Sequence, residues 1–340
     1  MTKIDNYFFP YGLHLLQRWQ AGDTKAKVEM TEFFDAAIAG EFDDNFKQLA
    51  PANKVHSTAS VHMLGLAVLH DLYGIQGHEY YHDDPYRYVR ANLAVSRLLG
   101  ISKFYTTWAL YAWTCEPLGQ TMMYPDKFPP GADPDAILIT KDNWQDLGTP
   151  DFSTGVPAAV DGILRVAQEL TGVAPLLQIS APYSLAADIY GQEPLLADVV
   201  NNPDRVNALL NHLGDVVLAP WMDHFFTQFP DGWVELSDAS GSPFFIGPEN
   251  CQTMSIRSIR HMLQGKAYAD RVFDNNYRGD FVAEVKKKAR ASRRRGTASE
   301  GNDAQSGAKL LDLTDAKVSV NPVFIMRLES DKVDISFYEE

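Results

Sequence analysis

The chain has 340 residues, 45% of them hydrophobic and 22% charged, which is enough for a sizeable buried core in one large domain or two ordinary ones. Its formal net charge of -14 excludes the cationic surface that sequence-independent nucleic-acid binding requires. Two cysteines, Cys115 and Cys251, exclude a disulfide framework and a CxxC metal clip, and fit a reducing, cytoplasmic setting. The first residues lack the basic and apolar regions of a signal peptide, and no apolar run is long enough to span a bilayer.

In chain order, residues 11–50 show helical spacing, with stripes at Leu13, Leu16 and Trp19 and at Met30, Phe33, Phe34 and Ala37. They are expected to form a helical extension over residues 1–50, packed on a domain spanning 51–340. Residues 55–69 run from a hydroxyl-rich stretch into apolar Leu64-Gly-Leu-Ala-Val-Leu69 and read as a first strand. His56 and His62, at even spacing, would then face one side of it. Asp83-Asp84-Pro85 opens a helix that closes at Gly100. Residues 104–113, rich in aromatic and β-branched side chains, read as a second strand followed by Cys115 and Glu116.

A long excursion with proline and glycine turns covers 125–149. A helix is expected over 156–171 and a strand over 174–179, ending in Ser180-Ala-Pro-Tyr183. Helices follow over 184–190 and 203–226. Trp233, Val234 and Leu236 read as a buried strand that breaks into Ser237, Asp238, Ser240 and Ser242, and a helix is expected from Pro248 to about Gly265. Residues 268–274 are a weaker strand, ending in Asn275, Asn276 and Arg278. The basic run at 286–295 reads as a solvated helix end and not as a nucleic-acid arm. Residues 318–326 and 333–337 are the last strands expected. The alternation of strand and helix predicts an α/β fold with a parallel sheet and helices outside it.

Four segments in register resemble the uroporphyrinogen decarboxylase superfamily. They are Glu116-Pro-Leu-Gly119, Ser180-Ala-Pro-Tyr-Ser-Leu-Ala186, Tyr190-Gly-Gln-Glu-Pro-Leu-Leu196 with Asn202-Pro-Asp-Arg-Val206, and Asp238-Ala-Ser-Gly-Ser-Pro243 with Gly247-Pro-Glu249. The resemblance implies a (β/α)8 TIM barrel with a cleft at the C-terminal strand ends, here carrying extra N-terminal helices. It implies an enzyme that is either a porphyrinogen decarboxylase or a corrinoid-dependent methyltransferase. The Arg-Gln-Ala-Gly-Arg-Tyr segment by which the decarboxylases grip carboxylates is missing, so the methyltransferase branch is expected, with cobalamin as cofactor. The His-x-Cys zinc pair of thiol methyltransferases is missing as well, its slot being taken by Asn275-Asn276-Tyr277-Arg278.

The candidate catalytic residues are Asp238, His56, His62 and Tyr183. A strand-end carboxylate can orient a proton, hold a cation or bind a metal, but the Ser-Asp-Ala-Ser-Gly-Ser run is equally good turn chemistry. The resemblance places a substrate-contacting tyrosine at Tyr183, where rim packing is the alternative. Trp108, Tyr111 and Trp113 would line a flat pocket or simply fill the core. Glu116, Gln178, Ser180, Ser240, Asn276, Arg278 and Asn321 complete the candidate binding set at the strand tips. A zinc site made from His56, His62, Cys115 and Glu116 is chemically acceptable, although no spacing demands it. Expected partners are a small-molecule substrate and a corrinoid protein, with neither nucleic acid nor membrane; a homodimer is compatible with this reading. A polycarboxylate decarboxylase and a non-catalytic barrel subunit are the alternatives.

Overall fold

The computed structural model describes residues 11–47, 59–98 and 109–275, together with the backbone of two strands at 324–329 and 332–337. Helices α1 (Tyr11–Gln20), α2 (Thr24–Ile38) and α3 (Asp43–Phe46) open the chain. Asp23 caps α2 by accepting from the backbone N–H groups of Lys25 and Ala26 at 2.9 and 3.2 Å. The expected stripe residues Met30, Phe33, Phe34 and Ala37 are fully buried. Arg90 fastens this part to the next through Asp43, at 2.7 and 3.1 Å, and through the Ile38 carbonyl.

Helices α4 (Ala59–Tyr73), α5 (Gly77–His82), α6 (Pro85–Leu98) and α7 (Leu110–Cys115) follow. Two of them correct the sequence reading. The run through Leu64, Leu66, Val68 and Leu69 is helical, so position 62 lies on α4 and not on a strand; His56 falls outside the described residues. An apolar stretch buried on every side carries no periodicity, so its length is the better guide, and 15 residues suit a helix rather than a strand. Residues 110–115 are helical as well, in a run of 6 residues too short for length to tell helix from strand, and Trp108 lies outside the described residues.

The excursion after α7 holds a minimal hairpin, β1 (Met122–Met123) with β2 (Gly131–Ala132). Helix α8 (Gly155–Thr171) ends at Gly172, whose φ of 68° is the left-handed conformation that glycine adopts without a Cβ clash. Strand β3 (Leu176–Ser180) leads into α9 (Pro182–Tyr190), α10 (Gln192–Asn201) and α11 (Pro203–Leu213), which runs through a π-helical segment at 214–218 into α12 (Ala219–Gln228). Strand β4 (Trp233–Ser237) is followed by α13 (Pro243–Asn250), a second π-helical segment at 251–256, and α14 (Arg257–Leu263). Strand β5 (Val272–Asn275) closes this part. Val234 and Leu236 are buried as expected, whereas Trp233 is 38% exposed.

Strands β3, β4 and β5 form a parallel sheet in which Ser180 stands opposite Ser237 and Ser237 opposite Asn275, so the three polar ends are level with one another. One face of the sheet carries Leu177, Ile179, Val234, Leu236 and Val272; the other carries Gln178, Ser180, Glu235 and Ser237. All nine are buried, so both faces are covered, as parallel sheets require. On the polar face Gln178 Nε2 donates to Glu235 Oε2 at 3.0 Å, which offsets the cost of burying that carboxylate. The last two strands, β6 (Phe324–Glu329) and β7 (Lys332–Phe337), pair antiparallel with each other, so they are not successive parallel staves. Among the described residues the parallel sheet has three strands, and these do not close into a barrel.

Candidate functional site

Two polar clusters stand out, one at the tips of β3 and β4 and one where α5 meets the end of α7. In the first, Asp238 is wholly buried one residue past β4. Its Oδ1 accepts from the Ser184 N–H at 3.0 Å, the Ser184 hydroxyl at 2.9 Å and the Gly241 N–H at 3.2 Å, while its Oδ2 accepts from the Ser255 hydroxyl. Ser240 joins indirectly, donating its N–H to Ser184 Oγ at 3.2 Å. A Cβ at position 241 would collide with the Asp238 carboxyl group, so glycine is needed there for the close approach of backbone to carboxylate. Burial pushes the Asp238 carboxyl above its ordinary range; the Ser255, Ser184 and Gly241 donors pull the other way without cancelling it. The carboxylate ties β4 to α9 and to the π-helical segment at 251–256.

Around this anchor several buried polar atoms have no partner among the described residues. The Ser180 backbone N–H donates to Thr114 Oγ1 at 3.0 Å, but the Ser180 hydroxyl has none. The Tyr183 hydroxyl, on a fully buried side chain, also has none, and burial together with the Asp238 charge pushes it upward. The Trp113 indole N–H is a third. Buried polar groups are normally satisfied, so an unmet group beside a strand tip is a natural receiver for a ligand atom. Tyr111 is half-buried and Trp113 fully so. Asn276, Arg278 and Asn321 lie outside the described residues.

The second cluster joins His78 and His82, four residues apart on α5, to Glu116 and Tyr124. His82 Nε2 lies 3.3 Å from Glu116 Oε2, and the Tyr124 hydroxyl donates to the same oxygen. His82 Nδ1 meets the His78 carbonyl oxygen at 2.8 Å, and the two imidazoles stack with centroids 4.0 Å apart. Burial pulls the His82 imidazole down, but the Glu116 and His78 hydrogen bonds outweigh it and leave the ring raised. Burial likewise raises Glu116, and its bonds to His82 and Tyr124 overcome that to leave it lowered.

Glu116 was named from the sequence, whereas His78 and His82 were not; their spacing on a short helix was the available signal. Cys115, the expected neighbour of Glu116 in a metal site, is buried and turns its thiol toward Asp188 at 3.8 Å instead. The two clusters are close in structure. Trp113 packs edge-on to His82 at 5.9 Å, and the next residue, Thr114, receives the Ser180 N–H at the tip of β3.

No helix among the described residues is long and apolar enough to cross a membrane. The family model for uroporphyrinogen decarboxylase (URO-D) matches residues 74–222, a span that contains the whole of the second cluster together with Ser180 and Tyr183. No curated protein matches the chain. Among solved structures, a methyltransferase from Methanosarcina mazei aligns with a TM-score of 0.53 at 15% identity, covering 76% of this chain and 73% of that one. At such identity the likeness concerns the fold. Residues 74–222 carry the uroporphyrinogen decarboxylase family pattern, and the resemblance read from the motifs is borne out.

Proposed function

We propose that the chain is a methyltransferase of the uroporphyrinogen decarboxylase superfamily that moves a methyl group between a small methylated compound, or methylcobalamin, and an acceptor. The observation that carries this reading is the pair of unmet buried hydroxyls, Ser180 and Tyr183, at the tip of β3 within the family-matched span. The fold likeness to a methyltransferase supports it. These hydroxyls and the Trp113 N–H are hydrogen-bonding groups that suit either the amide-bearing rim of a corrin or an oxygen of the acceptor. A bound corrinoid, free or on a partner protein, would supply an activated methyl group. Ser180 and Tyr183 would orient the acceptor, and the buried apolar surroundings of Tyr183 would keep water from competing for the methyl group.

Incubation with methylcobalamin and a panel of thiol, amine and folate-type acceptors, followed by the loss of methylcobalamin absorbance, tests the reading. Acceptor-dependent loss is expected; no loss with any acceptor, and no retention of corrinoid on the protein, would remove it. Retention without turnover would instead favour a non-catalytic subunit. Decarboxylation of a polycarboxylate stands second, because the described strand tips offer Ser180, Ser237 and Asp238 where such a substrate needs cations.

A further inference from the structure

We infer that His78, His82 and Glu116 form a three-ligand site for a divalent ion of the zinc class. The inference concerns ion binding and stands without the methyl-transfer reading. Among the described residues these three offer ligand atoms that all lie within 4.8 Å of one another. Two imidazoles and one carboxylate are a donor set that borderline divalent metals accept, with three protein ligands leaving a position open.

One edge of the ligand triangle already has the spacing of a loaded site. Metal–ligand bonds of about 2.0–2.2 Å in a tetrahedron separate neighbouring ligand atoms by about 3.4 Å. The His82 Nε2 to Glu116 Oε2 distance is already 3.3 Å. His78 is the outlying ligand, and because its side chain is exposed, a torsional adjustment can bring it in. The surroundings orient the ligands as metal sites commonly do. The His78 carbonyl, 2.8 Å from His82 Nδ1, holds the proton on that nitrogen, so Nε2 is the nitrogen that faces Glu116 and that an ion would take by displacing its proton. The Tyr124 hydroxyl fixes the Glu116 carboxylate in turn. Trp113 and Tyr124 wall the inner side through edge contacts to His82 at 5.9 and 5.2 Å, while His78 leaves the outer side open to solvent and to a further ligand. An ion pair between Glu116 and His82 explains their own contact. It gives no reason for His78, one helical turn earlier, to share the same small volume.

The test is calorimetric titration of the metal-stripped full chain with Zn²⁺, Co²⁺ and Mg²⁺. One Zn²⁺ per chain is expected, with Co²⁺ developing visible d–d absorption and Mg²⁺ binding far more weakly. His78→Ala and Glu116→Gln should each lower Zn²⁺ affinity by about a hundredfold or more, and Tyr124→Phe by about tenfold. His14→Ala, at an exposed histidine on α1, should change nothing. Because His78 is exposed, its variant keeps the fold, and circular dichroism checks this. Absence of stoichiometric Zn²⁺ binding, affinity unchanged in the folded His78→Ala and Glu116→Gln proteins, or preference for Mg²⁺ would each overturn the inference. A failure here leaves methylcobalamin turnover untouched, so the two proposals fall separately.

Discussion

The cluster around Asp238 and the cluster around Glu116 both centre on a carboxylate within the same fold, yet they are opposites. Asp238 is sealed from solvent, and four donors from α9, the 238–241 turn and the π-helical segment at 251–256 saturate it. Glu116 and His82 are partly open to water, and they meet each other through His82 Nε2 with no saturating set of donors around them. Burial wins at Asp238 and raises its carboxyl; hydrogen bonds win at Glu116 and lower it. A polar residue at a strand end is therefore no sufficient mark of chemistry. What separates an anchor from a reactive group is whether its valences are already filled.

The strongest way to break this contrast is Asp238→Ala. Removing an acceptor that satisfies buried donors from three segments should cost about 3–5 kcal/mol in urea unfolding. A cost below about 1 kcal/mol would show that Asp238 is no anchor. Ser255→Ala removes one of the four donors and should cost about 1.5–3 kcal/mol in the same assay, the range for a hydrogen bond to a charged group.

Acidification sharpens the difference further. The Asp238 carboxyl is raised in the folded state, so the folded protein binds its proton more readily than the unfolded chain does. Its unfavourable contribution is therefore present at neutral pH. It fades as pH falls through the raised value, and is gone below the ordinary carboxyl value. Relative to Asp238→Asn, the wild-type protein should gain stability over that acidic window, read as the difference between their thermal midpoints at successive pH values. A difference that shrinks with acid would contradict the raised carboxyl. The smallest stability effect belongs to Tyr183→Phe, within about 0.5 kcal/mol, because the hydroxyl it removes has no partner among the described residues. The same substitution should lower the methyl-transfer rate. A large loss of stability with unchanged turnover would place that hydroxyl in the packing.

Much of the sheet was legible in the sequence. Residues around 176–180 and 233–237 are short apolar runs bounded by turn signals and small polar residues, which marks them as strands, whereas the level register of Ser180, Ser237 and Asn275 comes from the pairing and is not written in that pattern. The strands expected over 55–69 and 104–113 were misread: residues 59–69 and 110–113 are helical, and the unbroken burial of Leu64 to Leu69 hides the helical period. The aromatic pocket built on them loses its strand: Tyr111 and Trp113 stand on a helix, with Trp113 inside the core. Glu116 could be nominated from its neighbourhood. Its pairing with His82 and Tyr124 could not, since it depends on how α5 and the excursion after α7 fold back across 34 and 8 residues. Even so, two histidines four apart beside Glu79 on a short segment were a readable cue that aromatic packing in Tyr80 and Tyr81 obscured.

The π-helical turn at 251–256 has a consequence for how this chain tolerates change in length. A π turn fits one residue more than an α turn into a single turn, so each of its residues rotates the helix by less than the α step of about 100°. Dropping one residue between Cys251 and Met254 would turn the wide turn back into an α turn while leaving the helix on either side facing as before, so Ser255 would keep its acceptor on Asp238. The same deletion in the regular α segment that follows, at 257–263, has no spare residue to absorb it and would rotate everything beyond it.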